Sequence, residues 1–168
     1  DYFRDVDWGK TKAFAVGLSG IYLNRRGRER LGIVAEEDVE PLKSEIRAGL
    51  QALKDPESGQ LAVRRVYDTK EEYRGLYTED APDLVLGFER GYRTSWESVV
   101  GGCQAEVFQD NLKAWSGDHD VDPELVPGVL FSNRKLNAND AHIRDLAPTI
   151  LDLFAVPRPS YLEGKVLL

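Results

Sequence analysis

The sequence predicts an α/β protein on three observations. Short apolar runs at 13–18, 20–24, 61–67, 83–88 and 127–132 are bounded by Gly, Pro, Asp and Ser, as strands are. Val39, Leu42, Ile46, Leu50 and Leu53 recur at three and four residues, the period of one helix face. A second helical period, Leu146, Ile150, Leu151 and Phe154, closes the chain. Strands alternating with helices are the pattern of a layered α/β fold.

The elements follow in order. Ala13–Leu18 and Gly20–Asn24 alternate in part and meet at Ser19-Gly20, so they read as strands or a hairpin. The helix that follows is expected from Asp38, whose carboxylate suits an N-cap, with Pro41 tolerated in the first turn. Asp55-Pro-Glu-Ser-Gly59 stops it and turns the chain. Leu61–Tyr67 reads as a strand and Lys70–Tyr73 as one helical turn. Asp83–Phe88 holds the continuous apolar run of an interior strand. Residues 89–118 mix Gly, Ser, Asn and aromatics and read as irregular and site-proximal, since long irregular stretches in compact domains are often functional. Pro127–Ser132 is expected to be another buried strand. The last helix is expected from Asp145, with Pro148 early in it and Pro157 and Pro159 barring its continuation. No internal repeat or low-complexity linker interrupts residues 1–168, which read as a single domain or as the C-terminal fragment of a larger catalytic domain.

Composition narrows the function. The net charge of −7, with no extended basic run, argues against a nucleic-acid polymer as partner. Arg25, Arg26, Arg28 and Arg30 form a short cluster broken by Glu29 and read as a solvated turn. No apolar run approaches the length of a membrane span, and the visible residues carry no targeting signal, which leaves localisation open. A single Cys103 precludes an internal disulfide. Met is absent even from position 1, which leads us to expect a processed or excised piece of a longer protein.

Chemistry concentrates around Trp115-Ser-Gly-Asp-His119. Neutral imidazole offers a lone pair near pH 7, and a Ser-Gly turn brings backbone close to a site. Asp118, Asp120 and Asp122 alternate around His119 like a calcium loop, but Pro123 and Val129 stand where that loop needs Gly and Glu. These carboxylates are expected to orient His119 or to face water. Tyr92, Arg93 and Trp96 are candidate substrate-binding residues, with Arg pairing to phosphate and an aromatic ring stacking on a base; a packed loop is the competing reading. His142 reads as structural, Ser116 as a turn residue and Thr149 as a helix residue. No phosphate loop, dinucleotide fingerprint, Cys-x-x-Cys or nucleophile elbow is present.

Several blocks in order carry a family resemblance. Asp7-Trp8 with Lys10–Ala15, Gly20–Asn24 with Arg26–Glu29, Asp55–Gly59, Ala81–Leu84, Gly91–Trp96, Trp115–His119, Val126–Ser132 and Asp145–Phe154 together resemble the C-terminal part of the alkaline phosphatase superfamily, in its type I phosphodiesterase and nucleotide pyrophosphatase-like branch. The resemblance implies an α/β sandwich around a mostly parallel sheet, and a phosphoric ester hydrolase using a Ser or Thr nucleophile beside two divalent metals, zinc by preference. It implies that His119 is the last metal ligand, and that the nucleophile and remaining ligands lie in a missing N-terminal part of the same protein. This chain would then hold no catalytic residue and be inactive alone, acting on a phosphate ester only when complete. Cut sheet edges would favour self-association. A non-enzymatic α/β interaction or structural module is the rival expectation. One departure is Ala155, where the family usually has Gly after the helix; Gly is favoured there because a helix-ending residue often takes positive φ.

Overall fold

The computed structural model describes residues 3–102, 104–114, 117, 120–137 and 140–168. They form two compact units, Asp1–Pro127 and Gly128–Leu168.

The first unit is built on a four-stranded sheet. β1 (Ala13–Ala15) and β2 (Gly20–Leu23) form the expected hairpin. α1 (Glu36–Gln51) leads to β3 (Val63–Asp68), the single helical turn α2 (Thr69–Glu72) and β4 (Leu84–Phe88). The strand order is β1-β2-β4-β3, so β4 is interior, as its apolar run implied. Every neighbouring pair is antiparallel, which corrects the expectation of a mostly parallel sheet for the described residues. The cause is the place of β4. β2 and β3 point the same way and α1 crosses between them, as strand–helix–strand alternation predicts, but β4 is inserted between the two and opposes both.

α1 lies over the sheet through the face its period marked. Val39 joins Leu23 and Val34 in one buried cluster, with Leu42 beside it. Val63, Val66, Leu84 and Phe88 form a second, and Ile46 packs against both. Val63 and Val66 face the same core although three residues apart, because the register shifts between Val63 and Arg65.

The helix start differs from expectation. Ala35, in extended backbone without a side-chain cap, precedes Glu36, and Asp38 lies inside the first turn with Glu36 and Glu37. Three carboxylates there complement the helix dipole, which does the work assigned to a cap. Pro41 consequently falls beyond the first turn, where its missing N–H leaves the Glu37 carbonyl without its helical donor. Both residues are exposed, so water can satisfy that carbonyl.

The basic cluster is also not simply solvated. Arg28 grips buried Asp83 through Nη2 at 2.5 Å and Nη1 at 3.1 Å, and Asp83 accepts the Leu23 amide at 2.7 Å. Arg25 lies 3.5 Å from the same carboxylate and 3.0 Å from Glu36. Burying Asp83 against β2 demands such partners, because an isolated buried charge is strongly unfavourable. Lys43 on α1 and Asp68 at the end of β3 form a second buried pair. Asn24, fully buried, donates through Nδ2 to the carbonyls of Trp8, Thr11 and Leu31.

In the second unit, α4 (Leu146–Leu153) begins after a 3-10 turn at Ile143–Asp145. Its end matches the sequence argument. Ala155 takes φ 52°, Val156 N–H donates to Leu151 O at 2.9 Å and Ala155 N–H to Asp152 O at 3.0 Å, a Schellman closure with alanine in the left-handed position. The expected apolar face is largely uncovered: Ile150 is exposed and Phe154 is 72% exposed. Residues 127–132 form no strand, contrary to expectation, and Val129 and Phe131 are 82% and 91% exposed. Strand propensity becomes a strand only where a neighbouring ladder pairs it, and Pro127 cannot donate to one.

Candidate functional site

Three segments meet around the C-terminal half of β4. The first is the β1–β2 turn. Ser19 holds φ 99° although it is not glycine, and its carbonyl accepts the Leu86 amide of β4 at 3.0 Å. A non-glycine residue at positive φ persists only where its surroundings hold it. Here the hold includes its side chain, since Ser19 Oγ donates to Asp120 Oδ1.

The second segment runs from Asp120 to Leu125. Asp122 N–H donates to Phe88 O at 2.9 Å at the end of β4. Its side chain is fully buried, which excludes for Asp122 the water-facing one of the two alternatives expected for these carboxylates. Oδ2 accepts from Tyr67 Oη at 3.0 Å, and Oδ1 accepts the Glu124 amide at 2.9 Å, capping a 3-10 turn at Pro123–Leu125. Burial, reinforced by the Asp122 carboxylate, pushes the Tyr67 hydroxyl above its ordinary range, so it stays a donor. Gly87 makes the seat possible. A Cβ there would stand 2.9 Å from Asp122 Cγ and closer still to Oδ2.

The third segment leaves β4 and carries the candidate substrate residues. Tyr92 packs against the Val63–Phe88 cluster, meets Phe108 edge-on at 6.2 Å, and donates through Oη to Asp55 at 2.7 Å. Ser58 Oγ donates to the same carboxylate oxygen at 2.7 Å. Hydrogen bonds from Ser58, Tyr92 and the Glu57 amide hold the Asp55 carboxyl down to about 2. The Tyr92 hydroxyl therefore locks the 55–59 turn to the chain leaving β4. Arg93 stacks over the Trp96 ring at 4.2 Å, and Trp96 is 47% exposed. α3 (Trp96–Val99) is capped by Ser95, and Val99 O accepts the Gly17 amide at 2.9 Å, which ties this segment to the β1–β2 turn. The structure thus brings Arg93 and Trp96 together as one stacked surface and gives Tyr92 a separate structural engagement.

His119, the expected metal ligand, lies outside the described residues, as do Asp118, Ser116 and Cys103. Among the described residues no three His, Cys, Asp or Glu side chains gather as a metal site. His142 Nδ1 accepts the Arg144 amide at 3.2 Å, while Asp145 Oδ2 accepts the His142 amide at 2.9 Å, a reciprocal cap ahead of α4. Thr149 Oγ1 donates to Asp145 O at 2.6 Å and accepts the Leu167 amide at 3.0 Å, a local duty for that hydroxyl.

Sequence reasoning did not single out Ser19, Tyr67 or Gly87. One signal was present for Gly87, because glycine inside an otherwise apolar strand marks close approach of another group. No family model matches this chain, and no significant match was found among curated proteins or solved structures.

Proposed function

We propose that this chain is the C-terminal portion of a metal-dependent phosphohydrolase, of the phosphodiesterase and nucleotide pyrophosphatase-like kind. His119 is the residue proposed to bind one metal, zinc by the preference of imidazole ligands. The nucleophile and the remaining ligands would come from the N-terminal part of the same protein. The family resemblance supports this reading, and one structural observation carries it furthest. The residues that follow His119 in sequence are held on the sheet and its β1–β2 turn, Asp120 by the Ser19 hydroxyl and Asp122 by the Phe88 carbonyl and the Tyr67 hydroxyl. A ligand-bearing loop requires such rigid supports, since catalytic geometry must hold within a fraction of an ångström.

The stacked Arg93–Trp96 pair fits the substrate side of the reading. A guanidinium matches phosphate oxygens in a fork, and an indole offers a face to a base. The metal would supply positive charge to the phosphoryl oxygens. Lacking a nucleophile and most ligands, the isolated chain should not turn over a chromogenic phosphodiester even with zinc or manganese added.

The test belongs in the complete protein. His119→Ala should lower both bound zinc and turnover by at least about the 10–100-fold typical of losing a ligand's orienting partner. His142→Ala should do far less, because its ring caps a helix. Equal losses in both variants, or an unaffected His119→Ala protein, would overturn the assignment.

A second reading, a non-enzymatic α/β interaction module, is favoured by the exposure of Val129, Phe131 and Phe154. Light scattering over a concentration series separates the consequences. Self-association that disappears on adding the complementary N-terminal part supports the enzyme fragment, whereas association indifferent to it supports the module.

A further inference from the structure

We propose that the chain pairs with a second copy of itself through the outer face of α4, the two helices running antiparallel about a twofold axis. Such pairing is independent of whether His119 binds a metal. α4 turns its small and polar side inward. Pro148 is fully buried, Thr149 Oγ1 accepts the Leu167 amide, and buried Asp145 accepts the Lys165 amide, so the end of the chain occupies that side. The helix cannot roll its apolar side inward without giving up those bonds. Facing outward is a stripe: Ile143 in the preceding 3-10 turn, then Ala147, Ile150 and Phe154, all exposed. Spacings of four, three and four residues are those of the seam between paired helices.

The stripe is self-complementary. Laid antiparallel against its copy, it sets Phe154 against Ile143 and Ile150 against Ala147, and the same pairings recur across the axis. The two Phe154 rings are kept apart, and each Ile150 falls on the smallest member of the stripe. The area also fits. Ile150 lines a hollow with Leu151, Val156, Pro157 and Tyr161, which extends the patch beside the helix. At about 200 Å² for a whole aromatic side chain, exposure of 72% and 79% leaves about 300 Å² of Phe154 and Tyr161 open. Ile143, Ile150 and Val156 add about 200 Å², taking about 100 Å² for a whole aliphatic side chain. Homodimer interfaces are about 65% apolar, so about 500 Å² of apolar surface corresponds to about 750 Å² per copy, close to the standard of about 800 Å².

Sedimentation velocity of the whole chain across micromolar concentrations should show a dimer and nothing larger, because a twofold interface closes on itself. Ile150→Glu and Phe154→Glu should each weaken the dimer at least about 100-fold, since each brings an unpaired carboxylate into the seam twice. Neither should lower the urea midpoint of the single chain, where both positions are exposed. Leu76→Glu, at an exposed apolar position in the first unit, should leave the dimer unchanged. Chains carrying Ile143→Cys or Phe154→Cys, each with Cys103→Ser, should be joined by a short bismaleimide when mixed and far more slowly when alone. Cross-linking as fast alone as in the mixture overturns the antiparallel register. A chain that stays monomeric, growth past the dimer, or equal weakening by Leu76→Glu overturns the interface itself. So does a monomer whose urea midpoint falls in Phe154→Glu, since the rest of the same chain would then cover this face.

Discussion

Replacing Ala155 by glycine should stabilise the second unit. Ala155 closes α4 at φ 52°, a conformation in which its Cβ crowds the backbone. The left-handed region costs an L-residue about 1–2 kcal/mol relative to the right-handed one. Glycine avoids that penalty but loses more freedom on ordering, about 0.5–1 kcal/mol against alanine. The Ala155 side chain is exposed, so no packing is forfeited. The Schellman hydrogen bonds from Val156 and Ala155 use backbone alone and survive the change. The net expectation is a gain of about 0.5–1 kcal/mol, at the upper end about fivefold in the local folding constant. Ala155→Val should move the other way, because β-branching aggravates positive φ. Amide exchange at Phe154, Ala155 and Val156 reports on this end directly, whatever the first unit does, and urea denaturation gives the global value. Faster exchange in Ala155→Gly, or equal exchange in the glycine and valine variants, would refute the assignment of strain to this position.

Other outcomes follow from the same geometry. Arg28→Ala should cost about 3 kcal/mol by denaturant unfolding, at the low end for breaking a buried pair, because Arg25 and the Leu23 amide still face Asp83; Arg28→Lys should recover only part, since one ammonium cannot reproduce the fork. Asp55 ionises at about 2 in the folded protein against an ordinary 3.8, so its contribution is present above pH 3.8 and is lost as pH falls through about 2. Tyr92→Phe, which removes one of its donors, should therefore flatten stability against pH between about 4 and 2, and an unchanged acid limb would discount the Tyr92–Asp55 lock.

Much of the fold was legible because local chemistry set it. The hairpin at Ser19-Gly20, the periodic face from Val39 to Leu50, the turn at Asp55–Gly59 and the positive φ of Ala155 all follow from interactions among near neighbours. Strand direction did not, because the insertion of β4 between β2 and β3 is a long-range choice that neither hydrophobic period records. The helix start was misplaced for a related reason. A dipole complemented by three carboxylates tolerates Ala35 as its boundary, so a good capping residue at Asp38 was not needed for that role. Residues 127–132 show the converse, an apolar run whose propensity finds no ladder among the described residues. At the candidate site, Tyr92, Arg93 and Trp96 were readable together as candidate residues by type, but the stacking of Arg93 on Trp96 and the engagement of Tyr92 with Asp55 were not. Asp122 was readable as an acid near His119 but not as a buried one, since its surroundings are Tyr67 and Gly87, far away in sequence.

Asn24 has a consequence for how the first unit comes apart. The Asn24 carboxamide gathers carbonyls from Trp8, Thr11 and Leu31 through its Nδ2, while the main-chain carbonyl of the same residue receives the amides of Ile33 and Val34. Residues 8–12 and 31–34 thus share a single knot at the end of β2, and neither stretch can open without disturbing the bonds of the other. Transient opening there should be all-or-none, a small cooperative block released as one body, where independent loops would fray separately.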